Sequence, residues 1–304
     1  MRIIIAGGSG LIGSALAKHL LATGHHVWIL TRNPGATPRA DGAQVVRWDG
    51  QSTNGWEAFV SQTDAIVNLA GESLGSGYWS KERKKRIITS RVSAGKAISE
   101  AIRRANPRPS VLVQASAVGY YGPRGSEPVI EETPPGSGFL AEVCQAWEAS
   151  SQSVEEMGVR RVVIRTGVVL TKNAGALPRM MLPFRLFAGG PIGNGQQGLP
   201  WIHLADEVAA IHFLLQNEKA YGIYNLSAPE PLSNADFGQL LAKVMKRPYW
   251  LPVPSFALRL ILGEMSTLVL EGQFMVPKKL QEFGFTFKFE SAGLALREIF
   301  SDQN

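Results

Sequence analysis

Gly7-Gly8-Ser9-Gly10-Leu11-Ile12-Gly13 is the stretch of this 304-residue chain whose residue types and spacing speak most clearly of chemistry. An apolar run, Ile3-Ile4-Ile5-Ala6, comes just before it. Leu11, Ala15, Leu16 and Leu20 follow at helical spacing. The glycines therefore join a buried strand to an amphipathic helix. That arrangement suits a dinucleotide pyrophosphate. Glycine lets the backbone approach the phosphates, and the first N–H groups of the helix point at the anion. The next strand, His25 to Leu30, ends in Thr31-Arg32. An acidic residue there would accept from a ribose 2′-hydroxyl and repel a 2′-phosphate. A hydroxyl and a cation instead predict a preference for NADP. Further on, Ala65-Ile66-Val67-Asn68-Leu69-Ala70 runs into Gly71, and its carboxyl end is expected to line the same crevice.

The elements that must position these residues alternate along the chain. Short apolar runs at Val45–Trp48, Val111–Ala115 and Arg161–Thr166 read as further strands. Ser80 to Arg104 and Phe139 to Met157 read as helices between them, the second stopped by Gly158. Strands alternating with helices predict an α/β fold with a doubly wound parallel sheet. After Gly167 the texture changes. Leu177–Leu186 is apolar apart from Arg179 and Arg185, helices are expected over Asp206–Leu215 and Asn234–Met245, and strands at Trp201–His203 and Tyr221–Leu226. Pro248, Pro252 and Pro254 mark a linker into a small helical unit. Alternating Phe283, Phe285, Phe287 and Phe289 predict one short strand or extended arm. The expected division is residues 1–230 for the nucleotide-binding domain, with substrate-lobe insertions from about residue 170, and residues 231–304 for a smaller, mostly helical C-terminal lobe.

Bulk composition narrows the class. With 45% hydrophobic and 18% charged residues the chain is globular. Its formal net charge of +6 fits an anionic partner, which a phosphate-bearing cofactor already supplies. The basic cluster Lys81, Arg83, Lys84, Lys85 and Arg86 reads as a solvated helix face rather than a nucleic-acid surface. Cys144 is the only cysteine, so neither an internal disulfide nor a cysteine metal site is expected. No His, Asp and Glu cluster has metal-ligand spacing. Met1-Arg2 leads straight into a strand without a signal-peptide layout, and no apolar run reaches membrane-spanning length. The expectation is a cytoplasmic protein with a small-molecule substrate; self-association is left open.

These markers resemble the extended short-chain dehydrogenase/reductases, in the NAD-dependent epimerase/dehydratase group with its Rossmann-like fold. They are Gly7–Gly13, Asn68-Leu69-Ala70-Gly71, Ser116 with Tyr121-Gly122, and Arg165 with Gly167. A narrower likeness, spanning nearly the whole chain, is to an "epimerase family protein" subgroup with a C-terminal domain of unknown function. Glu72 after Gly71, Leu182-Pro183-Phe184-Arg185, Pro200-Trp201-Ile202-His203, and Glu271-Gly272-Gln273 with Val276-Pro277 carry it. The resemblance implies NADP(H) as cofactor. Gly7, Gly10, Leu11, Ile12 and Gly13 would hold the pyrophosphate. Thr31 and Arg32 would hold the adenosine 2′ end, Leu69 and Ala70 would lie along adenosine and ribose, and Arg91 and Val169 would also contact the cofactor.

The resemblance also implies a catalytic Ser or Thr, a Tyr, and a Lys four residues after the Tyr. Ser116 fits the first position, but the Tyr position falls on Leu140 and the Lys position on Cys144. Leu140 cannot transfer a proton, and Cys144 supplies no fixed positive charge. Tyr120 and Tyr121 lie close to Ser116 in sequence, and either phenol could stand in or simply pack. Cys144 reads as a small buried hydrophobe rather than a nucleophile. His203, Asp206 and Glu72 are open to an acid/base role or a structural hydrogen bond. Two functions follow. One is an NADP-dependent oxidoreductase or epimerase-like enzyme acting on a small, sugar-nucleotide-like substrate, with Ser116 and Tyr121 polarising a carbonyl. The other is a non-catalytic NADP(H)-binding module that senses redox state.

Overall fold

The computed structural model describes residues 1–36 and 42–301. Its strands, in chain order, are β1 (Arg2–Ala6), β2 (His26–Thr31), β3 (Gln44–Arg47), β4 (Ala65–Asn68), β5 (Val111–Ala117), β6 (Pro128–Val129), β7 (Arg160–Thr166), β8 (Val168–Leu170), β9 (Trp201–His203), β10 (Gly222–Leu226) and β11 (Phe274–Met275). Seven of them form one parallel sheet in the order β10-β7-β5-β4-β1-β2-β3. β8 pairs with β9 and β6 with β11, in two small parallel ladders. The chain winds outward from β1 through β2 to β3, then returns to β4 on the other side. The order therefore reverses between β1 and β4, which is where ligands enter such sheets.

Helices cover both faces because the central strands are apolar on both sides. Ile3 and Ile5 of β1 pack toward α1 (Leu11–Ala22) and α6 (Leu204–Gln216), meeting Leu16, Leu20, Ile211 and Leu214. Ile4 and Ala6 point the other way, toward Ile98 and Ile102 of α3 (Lys81–Arg104) and Trp56, just before the short α2 (Glu57–Val60). The N-terminus of α3 is capped as its sequence suggests, the Ser80 hydroxyl accepting from the Arg83 N–H at 3.2 Å. α4 (Phe139–Ala149) packs on α3. It stops eight residues short of the expected Met157, and a 3₁₀ segment, Gln152–Met157, carries the chain on to Gly158.

A second core joins distant parts of the chain. Leu177, Met181 and Phe184 of α5 (Leu177–Arg185) meet Phe237 and Leu241 of α7 (Asn234–Met245) and Leu296 and Ile299 of α11 (Ala292–Ser301). The rest of the C-terminal part is α8 (Ser255–Leu262), α9 (Thr267–Leu270) and α10 (Lys278–Glu282). Phe283 to Phe289 forms an arm rather than a strand. Its alternation still works, with Phe287 and Phe289 buried and Phe285 meeting Phe213 at 5.5 Å between rings. Asp206 fastens this arm, its carboxylate accepting from the N–H groups of Lys288 and Phe289 at 2.9 Å each. The His203 ring accepts from the Ala205 N–H at 3.1 Å and caps α6. Both residues are thus structural.

Glu207 is fully buried, and one carboxyl oxygen accepts only from the Thr166 hydroxyl, at 2.9 Å. Burial pushes its pKa up to about 8, against the opposing Thr166 bond. A carboxyl with a raised folded-state pKa stabilises fully below its unfolded value. That stabilisation is lost as pH climbs from the ordinary carboxylate range through about 8. Glu207→Gln keeps the shape and removes the titration. We expect it to match wild type in Tm near pH 5 and to exceed it by several degrees at pH 9, by differential scanning fluorimetry.

Candidate functional site

The switch between β1 and β4 holds a crevice of about 390 Å³. Gly7 and Gly10 from the first turn, Thr31 and Arg32 from the end of β2, and Leu69 and Ala70 from the end of β4 all line it. These expected cofactor residues are therefore brought together. The turn is shaped for close approach. Gly7 has φ +78°, and a Cβ there would sit 2.8 Å from the Leu69 carbonyl oxygen. At Gly13 a Cβ would sit 2.4 Å from the Gly7 carbonyl oxygen. The Gly10 N–H donates to that same oxygen at 3.0 Å, closing the turn at the start of α1. Leu11 and Ile12 form the first turn of that helix, behind the crevice. The helix has no acidic residue in its first turn, so nothing competes with an anion for its N–H groups.

At the ribose end, Arg32 is exposed on the crevice rim and Thr31 is buried, its hydroxyl 3.2 Å from that of Ser9. Of the two acidic residues that line the crevice among the described residues, Glu72 pairs with Arg83 and Asp49 is turned to its own loop. Its carboxylate accepts from the Gln51 and Ser52 N–H groups and the Ser52 hydroxyl, at 2.8 Å each. The Ser52 and Gln51 backbone bonds hold its pKa below the usual carboxylate range. Ser9, Asn33 and the Trp48–Gln51 loop were not among the expected contacts. The rule that ligands sit beyond strand carboxyl ends applies equally to β3 and would have found that loop.

Beyond the crevice lies a cavity of about 480 Å³, closed on one side by Thr267, Leu268 and Gly272 of the C-terminal part. Arg91 stands at its inner end. The guanidinium is buried, donates to the Ile87 carbonyl at 3.0 Å, and stacks 4.8 Å over the Trp147 ring. Burial lowers its pKa, against the opposing influence of Cys144 and Glu72. Among the described residues no carboxylate lies within ion-pairing distance of it. Its neighbour Gly71 leaves room for it, since a Cβ there would sit 3.0 Å from Arg91 Cζ. Val169 is buried and paired with Ile202, and its neighbour Val168 faces the cavity instead.

The expected catalytic pair does not reach this cavity. Side chains alternate along β5, so Ala117 lines the cavity and Ser116 faces into the protein. The Ser116 hydroxyl donates to Glu148 at 2.6 Å. Tyr121 is wholly buried; its hydroxyl donates to Asn225 Oδ1 at 2.6 Å and accepts from Arg165 at 3.1 Å. Desolvation, partly offset by Arg165, pushes its pKa up to about 12. A phenol so placed is a strut, not a proton donor to a ligand. Tyr121→Phe should lower stability by about 1–3 kcal/mol in urea unfolding and leave NADPH affinity unchanged.

Comparison with known proteins places the chain. Residues 3–227 match the model of the NAD dependent epimerase/dehydratase family, and residues 253–299 match a domain of unknown function, DUF1731. The chain belongs to the NAD dependent epimerase/dehydratase family. A relative in Bacillus subtilis, the epimerase family protein YfhF, is 38% identical over 304 residues, covering 100% of this chain and 99% of that one. The chloroplastic SDR39U1 homolog of Arabidopsis thaliana is 41% identical over 305 residues, covering 98% of this chain and 86% of that one. The human epimerase family protein SDR39U1, crystallised with NADPH, superposes with a TM-score of 0.88 at 33% identity, covering 99% of this chain and 100% of that one.

Within this family the departures now have a place. Leu140 and Cys144, where the sequence resemblance leads one to expect the Tyr and Lys, both line the cavity. The Cys144 thiol is buried and donates to the Ala117 carbonyl at 3.6 Å. Desolvation, with the Glu148 charge beside it, pushes its pKa up to about 11, so it stays a neutral thiol. Glu72 is taken up by Arg83 at 2.7 Å and Arg86 at 3.7 Å. Lys84 pairs with Glu264, so part of the basic helix face is neutralised within the fold. Among the described residues no helix is long and apolar enough to cross a membrane, and no group of His, Cys, Asp or Glu could hold a metal ion.

Proposed function

We propose that this protein is an NADP(H)-dependent oxidoreductase that acts on a small molecule held in the cavity beside Arg91. The observation that carries the reading is the crevice itself. A glycine turn that no side chain could enter faces a strand end bearing Thr31 and Arg32, and the two acidic residues that line the crevice among the described residues, Asp49 and Glu72, are held by the Gln51–Ser52 loop and by Arg83. NADPH in the human relative supports the same cofactor here. When bound, the nicotinamide supplies a hydride. The chain's own residues do the rest. The turn around Gly7 and Gly10 and the start of α1 offer N–H groups to the pyrophosphate. Arg32 attracts the 2′-phosphate, Leu69 and Ala70 flank the adenosine, and Arg91 supplies buried positive charge between crevice and cavity. The C-terminal segment around Leu268 and Gly272 closes over the substrate and excludes water. A small-molecule partner fits the enclosed cavity, and the free buried cysteine fits a reducing compartment such as the cytoplasm.

The test is a titration with NADPH followed by energy transfer from protein tryptophans. Wild type should saturate at micromolar concentration. Arg32→Glu should weaken NADPH by about 10–100-fold while leaving or improving NADH, since it exchanges attraction for repulsion at one phosphate. Equal loss for both dinucleotides would remove Arg32 from the recognition of the 2′-phosphate. One observation favours the second reading, a redox-sensing module: among the described residues that line the cavity, none is the usual Tyr acid. NADPH consumption with any acceptor decides for the enzyme.

A further inference from the structure

The cavity beside the crevice has a chemistry unlike a sugar-nucleotide site. Leu74, Trp79, Val118, Phe139, Leu140 and Val143 form much of its wall. Its charged lining residues are Arg91 at the inner end and Glu264 and Glu271 from the C-terminal part. Lys84 already neutralises Glu264, and Glu271 lies exposed. A sugar nucleotide would bring two phosphates of its own into this space. Arg91 is the single cation lining it among the described residues, and Arg91 borders Gly71 on the cofactor side. A second diphosphate would therefore face carboxylates with no cation to match it.

The cavity also restricts what can accept a hydride. A simple ketone becomes an alkoxide and needs a proton from a positioned acid in the same step. Leu140 is apolar, and the neutral Cys144 thiol is held by the Ala117 carbonyl. Ser116 and Tyr121 are spent on Glu148 and Asn225.

We propose that the cavity takes a phosphate-free conjugated acceptor with an apolar ring frame, an iminium ion or a quinone, in place of a sugar nucleotide. The proposal rests on the oxidoreductase reading and deepens it. With an iminium ion, the hydride leaves the reduced nicotinamide and forms a C–H bond at the iminium carbon. The C=N π pair moves onto nitrogen, giving a neutral amine and oxidised nicotinamide, and no proton is transferred. With a quinone, the hydride gives a hydroquinone anion whose charge spreads over the ring, and water supplies the remaining proton.

Binding is tested apart from turnover. The uncharged fluorophore N-phenylnaphthylamine is titrated into protein saturated with NADPH. Its emission should rise saturably. Menadione, as the quinone, or N-methylacridinium, as the iminium, should displace it, and millimolar UDP-glucose should not. The arm that displaces the probe and also oxidises NADPH identifies which acceptor is used. Leu140→Asp should weaken the probe about tenfold or more. Leu268→Asp at the cavity edge gives the same reading if the first variant does not fold. Phe256→Ser with Leu260→Ser, on the exposed face of α8, should leave binding unchanged. Displacement by UDP-glucose but by neither acceptor overturns the proposal. So does probe binding that survives Leu140→Asp and Leu268→Asp but is lost from the α8 variant. Energy transfer from tryptophan to NADPH is read in the same samples. Its absence would sink the oxidoreductase reading, whereas its presence with no probe binding sinks only this one.

Discussion

Gly13→Val should abolish NADPH binding in the micromolar range while the protein stays folded. A Cβ at residue 13 would lie 2.4 Å from the Gly7 carbonyl oxygen and 2.7 Å from Gly8 Cα, both backbone atoms that cannot step aside. The turn must open, and its N–H groups then no longer converge on one anion. An affinity loss of at least about 100-fold, or about 2.7 kcal/mol, is expected from calorimetry. Gly13 is buried at the start of α1, so some stability is lost as well. Gly24→Ala is the control, because a Cβ there meets nothing within 4 Å and the residue lies past the other end of the same helix. It too has a positive φ, +83°, and so loses stability without touching the crevice. Equal NADPH affinity in the two variants would contradict a pyrophosphate seat at this turn.

The second large effect is on stability. Arg165 is 1% exposed and grips Glu148 with two bonds, Nε to Oε1 at 2.9 Å and Nη2 to Oε2 at 3.0 Å. Its guanidinium lies 3.3 Å from the centre of the Tyr120 ring and donates to the Tyr121 hydroxyl. Burial alone would lower its pKa, and the Glu148 carboxylate more than reverses that. Arg165→Met would leave Glu148 a largely enclosed charge, 12% exposed, with the Ser116 hydroxyl as its remaining side-chain partner among the described residues. Removing one member of such a pair costs about 3–5 kcal/mol. That is a large share of the roughly 5–15 kcal/mol that holds a typical protein folded. Urea unfolding should show it, and Arg165→Met with Glu148→Leu should recover part of the loss. A single variant within about 0.5 kcal/mol of wild type would mean the pair is not what ties β5, α4 and β7 together.

The sheet was readable because its strands carry their burial in their composition. Ile3-Ile4-Ile5 is apolar on both faces, and only a strand covered on both sides buries all of it. The crevice was readable for a related reason, since Gly7 and Gly13 leave a sequence mark where backbone must meet backbone. The cavity was not. Whether Ser116 or Ala117 faces it turns on one residue of register in β5, which composition does not fix. Tyr121 ends a 3₁₀ turn, Val118–Tyr121, and its side-chain direction depends on Arg165 and Asn225, 44 and 104 residues away. The closing segment around Leu268 and Gly272 comes from the far end of the chain, where no local pattern points back to the nucleotide turn. Phe283 to Phe289 shows the intermediate case. Alternation correctly marked which rings turn inward, yet among the described residues no strand pairs with the segment to make it one.

The central claim is that the turn at Gly7–Gly13 and the cation at Arg32 together select NADP(H). Parallel calorimetric titrations of the wild-type protein with NADPH and NADH test it most directly. NADPH should bind with a micromolar Kd and NADH at least about tenfold more weakly, a gap of about 1.4 kcal/mol. A tighter Kd for NADH, or no heat with either dinucleotide at millimolar concentration, would contradict it.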